Sequence, residues 1–283
     1  MEYLKGVNGL IFLALVVTFA AALETWRPWR RQGVAGPVRW ARAAGLNAYG
    51  VVALSLLPFM SGYGLSLAAE AKGLGLLNMI AFPLWAQIAI TLVVFDFAAV
   101  LQPASLPRWG FLWRAHRAHH SDVRIDAATS LRFHPLETVF RAAIEAPFTV
   151  LFGVPPEGVL VAFAVIVIVN VYTHANIAWP KPLERALAPY MITPRMHRLH
   201  HTTDENNQHT NYGVFLALWD RMLGSWRGAD SLGEDDAFGL RAPEAPERET
   251  FGALLLDPAR SLRTAARAGQ ATTAEAHGPP AAP

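Results

Sequence analysis

Three histidines fall within five residues in "HRAHH", where His116, His119 and His120 occupy positions i, i+3 and i+4. The same spacing returns in "HRLHH" as His197, His200 and His201. On a helix this spacing puts the imidazoles on one face, so each segment offers nitrogen donors toward a common volume. Neutral imidazole suits zinc, iron, copper or nickel, and the chemistry open to such a cluster is Lewis-acid or redox chemistry at a bound metal. An interfacial helix with polar histidines would explain one cluster without a metal; two matching clusters in a chain with ten histidines favour metal binding. The chain has no cysteine, which excludes disulfides, thiolate zinc sites and cysteine-ligated iron-sulfur clusters. Any metal must rely on nitrogen and oxygen ligands.

His174, in "YTHANI", ends a long apolar run, where a polar side chain is costly unless paired or functional. Beside the two clusters it is a further candidate ligand. His134 in "RFHPLE" is a weaker candidate, with a structural hydrogen bond between helix ends as the alternative. Candidate oxygen donors are Asp96, Gln102, Asp122, Asp126, Asp204 and Glu205, and for the carboxylates solvated or capping roles compete. His209 and His277 fall in polar stretches and are expected to face solvent.

The elements that must position these residues are membrane helices. Hydrophobic residues make up 53% of the chain and charged residues 16%, with a mean hydropathy of +0.25. That is too apolar for an ordinary soluble domain of this length. The net charge is only +2 and no lysine- or arginine-rich run of the nucleic-acid-binding kind occurs, so no nucleic-acid partner is expected. A helix needs about 20 apolar residues to cross a bilayer, and uncharged runs of that order lie at 6–23, 43–69 and 73–95. The first resembles a signal peptide, but Glu2 precedes it and no small-residue cleavage site stands out, so it is expected to be retained.

The loop after the first run carries Arg27, Arg30, Arg31, Arg39 and Arg42, with Trp26, Trp29 and Trp40 suited to the interface. The positive-inside rule then puts this loop and "HRAHH" in the cytoplasm and the N-terminus in the periplasm of an inner membrane. "HRLHH" reaches the same side if residues 146–178 form a helical hairpin turning at Pro155, Pro156 and Gly158. The expected fold is therefore all-α, an integral membrane bundle of three spans plus a hairpin, with a cytoplasmic histidine-rich helical cap. Residues 1–227 form the membrane domain in this expectation. Residues 228–283 form a polar C-terminal tail, partly disordered, with an amphipathic helix near 251–266.

The ordered set "HRAHH", "RFHPLE", "HANI", "HRLHH", "NYG" and "LWDRMLGSW", from about Asp96 to Trp226, resembles the fatty acid hydroxylase and sterol desaturase superfamily of membrane histidine-box oxygenases. The resemblance implies a helical bundle whose histidine-rich cap holds two metals, taken to be iron, that activate O2 to hydroxylate or desaturate a lipid. By motif position it makes His116, His119, His120, His174, His197, His200 and His201 ligands, with Asn211, Tyr212, Trp219 and Asp220 in the site wall. One departure stands out. The family's first box, His-x-x-x-His, should follow the aspartate matched by Asp96, but here Pro103 and Pro107 stand in the register of its two histidines. Neither can bind a metal. With two ligands missing, one well-occupied iron site is expected rather than two.

The function these features favour is O2-dependent hydroxylation or desaturation of a lipid entering from the bilayer. With no cysteine cluster, haem domain or dinucleotide fingerprint in the chain, electrons would come from a separate ferredoxin or reductase. Two alternatives stay open. A degenerate member would keep the fold and bind metal or lipid without turnover. A metal-dependent hydrolase would act through zinc-bound water, without O2 or reductant.

Overall fold

The computed structural model describes residues 2–32, 36–105, 110–233, 235–240 and 250–259. Among these the regular elements are helices, joined by loops with a few isolated β-bridges. In order they are α1 (Glu2–Trp26), α2 (Pro37–Ser55), α3 (Gly62–Ala71), α4 (Leu76–Met79), α5 (Leu84–Ser105), α6 (Gly110–His120), α7 (Pro135–Phe152), α8 (Pro156–His174), α9 (Lys181–Leu187), α10 (Pro194–His200), α11 (Glu205–Gln208) and α12 (Leu218–Leu223). A last helix covers 251–259.

Among the described residues three helices are long and apolar enough to cross a membrane: α1 from Asn8, α5 and α8. They are apolar on all sides, as helices sandwiched between lipid and protein must be. With their large exposed side chains, among them Leu15, Phe19, Trp85 and Phe163, they make this a membrane protein with a helical bundle. Two expected spans change. The run at 43–69 does not form one helix, because Pro58 supplies no backbone N–H and disfavours a helical Leu57; α2 stops at Ser55 and α3 restarts behind the N-cap Ser61. The third span begins at Leu84 rather than at residue 73, after the short α4.

In place of the expected hairpin over 146–178, two consecutive helices follow one another, α7 beginning at Pro135 and α8 at Pro156. α2 and α5 both pack on α7, and α5 also on α8. The chain turns at Gly153, whose φ of +62° ends α7 in the left-handed conformation. A Cβ built there would lie 2.5 Å from the Leu74 carbonyl oxygen. Gly153→Ala is therefore expected to cost about 1–3 kcal/mol in backbone strain alone. Gly252→Ala, where nothing lies within 4 Å, should leave the detergent melting midpoint near wild type. Equal midpoints for the two variants would refute this account of the turn.

Residues 228–233, 235–240 and 251–259 pack onto the helices that precede them. Ala229, Leu232, Phe238 and Leu254 are buried in clusters shared with α10, α6 and α2. The expected disordered tail beyond residue 259, with His277, lies outside the described residues.

Candidate metal centre

α6 presents three histidines, α10 with its C-cap His201 three more, and His174 ends α8 between them. Several contacts fix this convergence. Arg198, 1% exposed in the middle of "HRLHH", donates to the carbonyls of Ala175 and Ile177 just past the end of α8 and lies 4.5 Å over the Trp29 ring. Burial pulls its pKa down to about 10, still high enough to keep the charge. Glu24, near the end of α1, accepts from Asn176 N at 2.6 Å and Ala127 N at 2.7 Å, joining the segments that follow α8 and α6.

The donors do not form the single site expected from the sequence. They separate into two groups, His119, His174, His197 and His201 in one and His116, His120 and His200 in the other. Each box is divided. Residues i and i+4 lie about 40° apart around a helix, while i+3 lies about 60° away on the other side. His116 and His120 accordingly turn to one group and His119 to the other; His197 of α10 and the C-cap His201 stay together and His200 crosses to the partners from α6. The groups adjoin where the His120 and His201 rings stack with centroids 4.5 Å apart.

The nitrogens are arranged as ligands of an ion would be. His174 Nε2 lies 3.1 Å from His119 Nε2 and 2.9 Å from His197 Nε2, and His201 Nε2 lies 3.2 Å from His197 Nε2. Two nitrogens each about 2.1 Å from one ion and about 90–100° apart would be separated by about 3.0–3.2 Å. Hydrogen bonding alone accounts poorly for the crowding. His174 Nδ1 donates to the Asn170 carbonyl at 2.7 Å, which leaves Nε2 a bare lone pair facing two nitrogens at once. The Nδ1 atoms of His119, His120, His197 and His201 are buried without a hydrogen-bond partner among the described residues. Burial, reinforced by neighbouring imidazoles, holds these four histidines well below the ordinary value of 6.5 and His200 at about 3. They are neutral near pH 7, the protonation state a metal requires. The donor set thus fits two metal ions.

The wall is aromatic. Phe133 stacks on His119 with centroids 4.7 Å apart, Trp113 lies 5.4 Å from His120, and Tyr212 lies 5.8 Å from His200. His209 is exposed, its Nδ1 3.4 Å from the Tyr212 hydroxyl.

The remaining candidates whose side chains are described have other partners, and none belongs to either group. His134 caps α7, accepting from Leu136 N at 3.1 Å and donating to the Leu255 carbonyl at 3.0 Å. Asp122 and Asp126 bind the Arg39 guanidinium. Asp96, 4% exposed in α5, accepts from Phe215 N, Leu216 N and Trp219 Nε1 at 2.8–2.9 Å, so aspartate and tryptophan anchor the α12 segment to the bundle. Asp220 organises the same segment from the other side, accepting from Tyr212 N, Gly213 N and Ser225 Oγ. Asn211, at φ +51°, bridges Met196 O and Arg227 N. Asp204 caps α11.

Of the two prolines expected to replace a first box, Pro103 lies in the last turns of α5, which continues to Ser105; Pro107 is outside the described residues. Sequence reasoning missed Glu137. It is 3% exposed and accepts from His116 Nδ1 at 2.7 Å and from Gln102 Nε2 at 2.9 Å. The sequence signal was a carboxylate one turn into a helix that packs against the bundle. Gln102, considered as an oxygen donor to metal, turns its amide toward this carboxylate instead.

Residues 88–225 match the family model described as fatty acid hydroxylase. The chain is 32% identical over 146 residues to the ornithine lipid hydroxylase OlsE of Rhizobium tropici, across 51% of this chain and 43% of that protein. It is 28% identical over 116 residues to the alkylglycerol monooxygenase of Danio rerio, across 41% of this chain and 25% of that protein. For the Homo sapiens alkylglycerol monooxygenase the identity is 26% over 133 residues, 47% of this chain and 28% of that protein. The chain spans less than half the length of these relatives. No solved structure matches it. The segment matched by the fatty acid hydroxylase model, residues 88–225, holds all seven clustered histidines.

Proposed function

We propose that this chain is a metal-dependent, O2-using lipid hydroxylase that binds one ion in each histidine group. The observation that carries the reading is the convergence of seven histidines, six of them at most 6% exposed, into two donor sets with no carboxylate among them. Similarity to lipid-oxidising relatives supports the reaction class. Bound in these groups, a redox-active metal such as iron supplies activation of dioxygen for insertion of oxygen into a lipid C–H bond.

The chain's own residues supply the setting. His119, His174, His197 and His201 hold one ion and His116, His120 and His200 the other. Phe133, Trp113 and Tyr212 cover the imidazoles and limit water around them. An apolar substrate enters sideways between lipid-facing helices, and a separate reductase or ferredoxin delivers electrons to the cap. In a bacterial host we assign the protein to the inner membrane, with the cap cytoplasmic and the N-terminus periplasmic.

Elemental analysis of purified full-length protein should find two metal ions per chain. Lipid mass spectrometry of a host expressing it should find species heavier by one oxygen atom that disappear with His119→Ala. Two bound ions with identical lipid profiles would instead favour the non-catalytic alternative, which Pro103 inside α5, where the family resemblance leads one to expect a histidine, supports. Product formed without O2 would favour a hydrolase.

A further inference from the structure

We propose that Glu137 is a positioning residue for the three-histidine group, held ready by Gln102, and that this pair supplies the support a first histidine box would otherwise give. The inference rests on the metal-binding reading above. Among the described residues, His116 is the one clustered histidine whose second ring nitrogen meets a carboxylate, with Nδ1 2.7 Å from Glu137 Oε1. A carboxylate accepts, so the proton sits on Nδ1 and the lone pair on Nε2, which faces His120 Nε2 at 3.0 Å. Metal-binding histidines commonly donate their second N–H in this way. The partner fixes tautomer and ring orientation and strengthens the donor, and its loss typically weakens metal binding by about 10- to 100-fold.

The connection to α5 gives the arrangement its specific meaning. Gln102, 6% exposed, immediately precedes Pro103 and donates to the same Oε1 at 2.9 Å. Where α5 would extend a ligand toward the cap, it extends an amide that steadies the carboxylate behind a ligand. Glu137 Oε2, buried with no hydrogen-bond partner among the described residues, is the second observation. A carboxylate retained only to join helices would be expected to have both oxygens satisfied. An incompletely satisfied anion is favoured where a cation lies beyond the imidazole it holds.

The test is calorimetric titration of metal-stripped, full-length protein with zinc in detergent. Wild type should take up two ions. Glu137→Gln keeps an oxygen for both donors, so its melting midpoint should be preserved; one uptake step should match wild type and the other should weaken by about 10- to 100-fold. Gln102→Ala, which alters no histidine or carboxylate, should weaken the same step by a smaller factor. Two wild-type steps in Glu137→Gln would overturn the proposal. So would equal weakening of both steps with a lowered midpoint, the signature of a simple brace. Uptake of fewer than two ions by wild type would sink the metal reading itself, which separates the two failures.

Discussion

His174→Ala is expected to release one metal ion per chain and to reduce lipid hydroxylation by more than about 100-fold, since losing a ligand exceeds the usual cost of losing a ligand's partner. His174 is the central member of the four-histidine group. Its Nε2 lies within 3.1 Å of nitrogens from both α6 and α10, and its Nδ1 is committed to the Asn170 carbonyl. No other residue of that group comes from a membrane-crossing helix. Alanine should therefore leave three donors from two cap helices without the one that ties them to the bundle. The three-histidine group shares no residue with it and should keep its ion. Elemental analysis of the purified variant, with product measured by lipid mass spectrometry, checks both parts. Two retained ions would refute the assignment of His174 as a ligand.

The second large effect concerns folding. Arg39 in α2 binds Asp126 through Nη1 at 2.7–2.8 Å and Asp122 through Nε at 3.1 Å, and all three side chains are at least mostly buried. Asp122 follows His120 by two residues, so this ion pair holds the end of α6 against α2. Arg39→Ala would strand two carboxylates away from water. Removing one partner from a buried pair costs about 3–5 kcal/mol. Arg132, whose Nη1 is 3.9 Å from Asp122, offsets a part of this. A denaturant or thermal series in detergent should show a markedly lower midpoint for Arg39→Ala. Arg39→Lys should fall between, because a single ammonium cannot reproduce the fork that engages both carboxylates. A wild-type midpoint in the alanine variant would contradict the account.

Arg39 also illustrates a limit of sequence reading. In the linear chain it is one of five arginines in a loop that reads as an orientation signal, and Asp122 and Asp126 read as potential ligands. Their mutual pairing spans 83 and 87 residues, and no local spacing encodes it. His134 was similarly ambiguous until the 251–259 helix supplied the Leu255 carbonyl, 121 residues away. The unbroken apolar run at 43–69 gave no hydropathy signal of its break; Pro58 did, because a missing N–H acts on its immediate neighbours.

The helical membrane character and the seven histidines with their spacing were determined by the sequence itself. Apolar run length and the i, i+3, i+4 spacing are local properties that a chain carries before it folds. The tertiary structure alone decided how the donors are shared. It split each box between two groups, brought His174 to His119 across 55 residues, and set Glu137 behind His116. The rotation of one helix against another determines which ring faces which, and packing at long sequence separation sets that rotation.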